Sequence, residues 1–401
     1  MQHLAGLVTG VLTYVLLTRL DIRRSLALAA AALVLLDSYA IALEQHVLTE
    51  TFFGLTMLGV ACAAILSRGA GGLALSGALL AAAVTIRSNG LFAVPVWLLY
   101  VLWDRRSLLA MVMGVVSLSA VLFGYAALHA HGDPTRNSNP GELSLTEMDG
   151  WFLYARVAVL ADCNVAHVPQ RALAVCQPPE ERIRDAQFYL FNPSSPAKLL
   201  VGVHRTGSQQ AADNRMLRGF ALAVIRSRPG AYARLVGGDL VRLFTPHGKG
   251  VDVTVQFLRP GPTVPGGGRA PLPCSNCDVE RSEPVPTPDR NRWFPHFRPR
   301  VHAPARLLVA YQRWFHTPRW LMGLLAALAL VSTALALTPL RHALTHRRET
   351  FLLGCSGLAI AVGSVATANP LVRFLVPLVP LLVCGGACAL TDFARARERQ
   401  R

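Results

Sequence analysis

The chain has 401 residues, 52% of them hydrophobic and only 15% charged, with a mean hydropathy of +0.39. That balance excludes a soluble domain of this size, because the apolar residues come in blocks of membrane length. The net charge of +16 does not point to nucleic acid. Lys198 and Lys249 are the only lysines, and many of the arginines flank apolar blocks, where positive-inside placement accounts for them.

In chain order, about nine apolar segments are predicted to be membrane helices: 4–17, 25–36, 50–66, 73–84, 89–102, 108–128, 321–337, 351–367 and 371–392. The second and fourth are short enough to be half-buried segments instead. Arg19, Arg23 and Arg24 follow the first segment, Arg68 the third, Arg105 and Arg106 the fifth, Arg341, Arg347 and Arg348 the seventh, and Arg395 to Arg401 the ninth. These are alternate loops, so they share one side, the cytoplasm. The other side then holds Met1, the turns 37–49, 85–88 and 369–370, and an insert at 129–319. An outside N-terminus with no export signal leads us to expect one more membrane segment upstream of Met1.

The expected organisation is a membrane bundle at 1–128, an extracytoplasmic insert at 129–319, C-terminal membrane segments at 320–392 and a basic cytoplasmic tail at 393–401. The insert is about 190 residues long, enough for a small domain. It opens on a breaker-rich linker at 131–141. Helical spacing of apolar residues follows at 145–160, 213–226 and 230–244, then a Pro- and Gly-rich loop at 263–288. Cys163, Cys176, Cys274 and Cys277 lie in this insert, and an even number on an oxidising face predicts disulfides. Cys163 with Cys176 closes a short loop and is preferred, with Cys274 and Cys277 second, although four cysteines allow three connectivities. Their spacing does not match paired zinc knuckles.

Three places could carry chemistry. The turn Leu43-Glu44-Gln45-His46-Val47-Leu48-Thr49-Glu50 sets two carboxylates and a histidine beside a span, in a chain poor in acids. An ionisable group at membrane depth costs roughly 3 kcal/mol, so it usually has a partner or a task. If the turn is helical, His46 and Glu50 share a face at i, i+4. Two roles are open to this turn: binding a divalent metal cation through Glu50 and His46, or taking a proton from an acceptor hydroxyl, with Glu50, Glu44 and His46 as the catalytic candidates. An ordinary polar interfacial loop explains the same residues. Arg87, in Thr85-Ile86-Arg87-Ser88-Asn89-Gly90, lies on the outer side, where positive-inside placement does not explain it. Its planar fork suits a phosphate, and snorkelling to headgroups is the bland alternative. Arg373 stands at the outer end of the last segment, beside Pro377 and Pro380, which loosen that helix. A structural salt bridge to Glu44 or Glu50 is its bland alternative. No Walker loop, HExxH or GxSxG is present.

The acidic turn ending Leu48-Thr49-Glu50-Thr51-Phe52-Phe53, the span pair joined by Arg87-Ser88-Asn89-Gly90, and Arg373-Phe374-x-x-Pro377-x-x-Pro380 together resemble the polyprenyl-phosphate-dependent glycosyltransferases of the GT-C superfamily. Within it they look nearest to the bacterial protein-mannosyltransferase and aminoarabinose-transferase-like enzymes. The insert pieces Gly150-Trp151-Phe152-Leu153-Tyr154-Ala155-Arg156 and Ala161-Asp162-Cys163, with Cys176, resemble an actinobacterial branch. The resemblance implies an all-α polytopic bundle in the plasma membrane, with a mixed, mainly helical extracytoplasmic insert. It implies transfer of a sugar from a polyprenyl-phosphate carrier to an acceptor on the outer face, with Arg87 and Arg373 holding the lipid phosphate. The family's main catalytic acid lies in a loop after its first span, and no counterpart stands in this sequence. That leaves a non-catalytic lipid-binding or envelope-assembly protein on the same scaffold as the alternative. A transporter would predict paired repeats, and none is seen.

Overall fold

The computed structural model describes the chain except residues 47, 68, 105–106, 131–145, 147, 165–167, 169, 184, 202–206, 246–256, 258–259, 264–268, 272–304, 340–341, 343, 369 and 401. The described part is helical apart from one short antiparallel hairpin, β1 (Pro260–Thr263) with β2 (Arg269–Pro271).

Each apolar segment of the sequence forms a helix. The N-terminal set is α1 (Gln2–Arg19), α2 (Arg24–Leu35), α3 (Ser38–Leu43), α4 (Glu50–Leu66), α5 (Ala70–Ile86), α6 (Val94–Trp103) and α7 (Leu108–Ala130). Asp37 separates α2 from α3, because its carboxylate accepts the Tyr39 amide at 2.9 Å and restarts the helix as an N-cap. Four stretches are long and apolar enough to cross a membrane: Arg24–Leu43, Leu108–Leu128, Arg347–Thr367 and Val372–Arg399. A fifth arises if α13 (Ala305–Trp314) and α14 (Arg319–Leu335), bent by 42° where they join, count as one span. This is the pattern of a helical membrane protein. The apolar helices Glu50–Leu66, Ala70–Ile86 and Ser88–Trp103 are shorter. Seventeen residues of helix reach about 26 Å, just under a hydrocarbon core of about 30 Å.

Burial sorts the helices. The last one, α16 (Val372–Arg399), has 89% of its apolar window buried and is the hub, whereas α7 has 17% and lies at the rim. Leu109, Val116, Phe123 and Leu128 point outward from α7, as lipid-facing residues do. Small residues let backbones meet where burial is deepest. A Cβ on Gly77 of α5 would fall on the Gly114 carbonyl of α7. Ser76 donates to the Val60 carbonyl at 2.9 Å and accepts from the buried Trp97 indole at 2.8 Å, tying α4, α5 and α6 together. The segment 393–401, expected as a separate tail, continues α16 helically to Gln400.

The insert has a core of its own, built from α8 (Asp149–Val157), α9 (Ala186–Phe191), α10 (Pro196–Val201) and α11 (Gly207–Ser227). Tyr154 is fully buried and meets Tyr189 and Phe220 edge-on. Cys163 and Cys176 are disulfide-bonded, as expected, and Cys274 and Cys277 lie outside the described residues. Asn214 accepts the Gly150 and Trp151 amides and so caps α8 from α11. Next, α12 (Pro229–Phe244) joins this core to the bundle. Asp239 takes the buried Arg156 at 2.6 Å, and the Tyr232 hydroxyl donates to the Ala366 carbonyl, at the end of α15 (Arg347–Thr367), at 2.8 Å.

Candidate functional site

Glu50 opens α4, where a carboxylate favours the helix dipole. It is 3% exposed. Arg87 ends α5 in an extended conformation (φ −149°, ψ 121°), which turns the chain so that its side chain comes back to α4. Its Nη1 meets Glu50 Oε1 at 2.5 Å. The same guanidinium lies 5.0 Å from the centroid of the Phe374 ring, and the Arg373 guanidinium lies 5.1 Å from that centroid. The two cations therefore sit within about 10 Å of each other, each attracted by the face of one ring. Glu50, Arg87 and Arg373, drawn from three separate turns, are brought together.

On its other flank Glu50 lines a small open cleft of about 40 Å³. Asp37, Glu44, Gly6 and the Pro377–Pro380 stretch line it too. Among the described residues the Oε2 of Glu50 has no hydrogen-bond partner. Gly54 brings α4 close to the Pro377 carbonyl, 3.1 Å from where a Cβ would stand, so the proline-loosened start of α16 packs directly behind Glu50. Glu44 lies at the C-terminal end of α3, and its Oε2 is 2.6 Å from His3 Nδ1. Burial pushes the Glu44 carboxyl above its ordinary range, and the hydrogen bond and charge of His3 pull it part of the way back. The absence of a side chain at Gly6 makes room for the Glu44 carboxylate, which would have to move if a Cβ stood there.

The condition for His46 and Glu50 to share a face, a helical turn, is not met. The turn between α3 and α4 is not helical: α3 ends at Leu43 and α4 starts at Glu50, so His46 and Glu50 do not share a helix face. His46 sits half-buried in the turn. Among the described residues no group of three or more His, Cys, Asp or Glu side chains is placed to hold a metal ion. Sequence reasoning missed His3, Gly6, Asp37 and Phe374. Asp37, an acid inside an apolar run, carried a signal; the other three did not.

A second polar cluster lies at the opposite end of the bundle. His346 precedes α15, with Nδ1 2.8 Å from Asp392 Oδ1 and Nε2 2.8 Å from the Leu20 carbonyl. Its backbone amide donates to Asp392 Oδ2 at 2.8 Å. Both ring nitrogens face acceptors, which suits the doubly protonated ring. Burial opposes that charge, but the hydrogen bond and charge of Asp392 and the Leu20 carbonyl outweigh it, so the His346 pKa is raised.

Comparison with known proteins found no matching family model, no matching curated protein and no matching solved structure.

Proposed function

We propose that the protein is a multi-pass plasma-membrane glycosyltransferase that moves a sugar from a polyprenyl-phosphate carrier to an acceptor, with the site end and the insert on the outer face. The observation that carries this reading is the placement of Arg87 and Arg373 on one aromatic ring beside a buried carboxylate. In the proposed reaction an acceptor hydroxyl loses its proton to Glu50 and attacks the anomeric carbon. The bond from that carbon to the phosphate oxygen breaks, and the electron pair leaves on the lipid phosphate. Two guanidiniums aimed at that oxygen would stabilise the charge as it develops, which is the largest contribution expected of the protein. The phosphate would compete with Glu50 for Arg87 and so release the carboxylate to act as base. A divalent cation remains part of the proposal only if the substrate supplies ligands beside Glu50.

The test is transfer of a radiolabelled sugar from a polyprenyl phosphate in membranes carrying the protein. Arg87→Lys and Arg373→Lys each keep the charge but lose the bidentate fork, and each should lower turnover sharply. Full activity in both variants would sink the reading. The ion pair of Arg87 with Glu50 favours a second reading, a non-catalytic binder of lipid phosphate, because it already occupies the carboxylate that would act as base. Saturable binding of polyprenyl phosphate without any transfer would select it.

A further inference from the structure

Helix α13 and the first turn of α14 present an apolar surface that no described residue covers. Leu307 and Trp314 are 71% and 78% exposed, and Ala310 between them is exposed as well. These three fall on one helical face. Arg306 and Arg313 flank it, also exposed, with the Arg313 guanidinium 6.0 Å from the Trp314 ring centroid. Contacts within the protein hold α13 along the side that adjoins this stripe, from Tyr311 round to Gln312 and His316. The Tyr311 hydroxyl donates to the Leu36 carbonyl at 2.6 Å, and the Phe315 carbonyl accepts from the Ser38 amide at 2.7 Å. The Gln312 side chain accepts from the Phe257 amide at 3.0 Å, and His316 meets the Tyr39 ring at 5.2 Å.

The exposed stripe does not stop at the bend. Trp320, Leu324 and Val331 continue it along α14, whose seventeen residues reach about 26 Å, close to the thickness of the hydrocarbon core. At the 42° bend the chain changes direction, so α13 can leave the line of α14. Tryptophans at the join and arginines beside an apolar stripe are the composition of the headgroup layer, where the ring lies at the polar boundary and the guanidinium reaches lipid phosphate. We infer that α13 is an interfacial helix that lies in the headgroup layer of the bilayer, with Leu307 and Trp314 facing lipid and Arg306 and Arg313 on headgroup phosphates. It would thereby fix the break between α2 and α3, and with it Asp37, at the membrane surface. This assignment does not depend on any sugar transfer.

The test is tryptophan quenching in the intact protein, reconstituted into phosphatidylglycerol–phosphatidylcholine vesicles. The lipids carry bromine either near the ester end of the acyl chain or near its terminal methyl. The Trp314 contribution is the difference between wild type and Trp314→Phe, a conservative change at an exposed site that the fold should tolerate. Trp320→Phe gives a second, independent position on the same stripe, and the buried Trp97 supplies the baseline. The expected result is loss of the Trp314 emission with the shallow bromines and a smaller loss with the deep ones. Stronger quenching by the deep bromines would make α13 part of the span and overturn the inference. Quenching by aqueous iodide alone, or by none of these agents because a protein partner covers the stripe, would overturn it too.

Discussion

Glu50 and Arg87 act as one unit at the residue scale, because each would otherwise be a nearly buried charge at the end of an apolar helix. Arg87→Ala would leave the carboxylate buried and unpaired, a loss of about 3–5 kcal/mol where one partner of a buried pair is removed. Glu50→Gln combined with Arg87→Gln should recover a large part of that loss. Thermal unfolding in detergent measures both, and equal destabilisation by the single and the double change would show that the pair is not coupled. These charges were legible in the sequence because each interrupts an apolar run. Phe374 was not, since a phenylalanine among Leu and Val looks like any core residue until two guanidiniums are found on its ring. His3 and Gly6 were illegible for a related reason: their role is set by Glu44, which lies some forty residues away in the chain. His346 gives a pH prediction at this same scale. Its pKa is raised above the ordinary 6.5, so the stability it contributes is complete below 6.5 and is lost as pH rises through the raised folded value. Wild type should therefore unfold at a lower temperature as pH climbs through that window. His346→Gln should remove most of this slope, and an unchanged slope would mean that some other group titrates.

Helix positions in the bundle were legible from hydropathy almost end to end, because membrane-length apolar runs permit little else. The breaks within these runs were legible as well, at the turn from 37 and at Pro377 and Pro380; what the sequence could not show is that both meet at one place. Asp37 divides Arg24–Leu43 by capping, and the Pro377 stretch loosens α16, and both breaks lie against Glu50. The short insert helices α9 and α10 also escaped notice, since six residues carry too little periodicity to be recognised. Contacts between elements make their own predictions. Ser76→Ala would strip the buried Trp97 indole of its acceptor and should cost about 1–3 kcal/mol. The Cys163–Cys176 bridge closes a loop with a sequence separation of 13 within the insert core. Replacing both cysteines with alanine should destabilise that core by about 3 kcal/mol on the loop-entropy account. Hydrogen exchange should show the loss in α8 and α11 while the bundle helices keep their protection. Uniform loss across the whole protein would mean that the insert and the bundle unfold together.

The whole molecule has two chemically different ends, and the arginine-bearing loops meet at one of them. Arg395 donates to the Asp21 carbonyl at 2.9 Å, Arg348 holds Asp104 at 2.7 Å, and His346 reaches Leu20. The loops after α1, α6 and α14 thus gather around the end of α16. Glu50, Arg87, Arg373 and the insert, docked through Tyr232 on Ala366, occupy the other end. For these three loops the alternation of arginine along the sequence corresponds to a separation in space. The physical argument for sidedness is the retention of Lys and Arg in short cytoplasmic loops during insertion. On that argument a reporter fused after Arg24, Arg106 or Arg348 should report the cytoplasm, and one placed within 263–288 should report the outside. The same orientation puts the Cys163–Cys176 bridge in an oxidising compartment, which agrees with its being formed. A cytoplasmic signal from 263–288 would invert the molecule. The two guanidiniums on Phe374 would then face cytoplasmic lipid phosphates, and a glycosyl transfer on the outer face could not be their purpose.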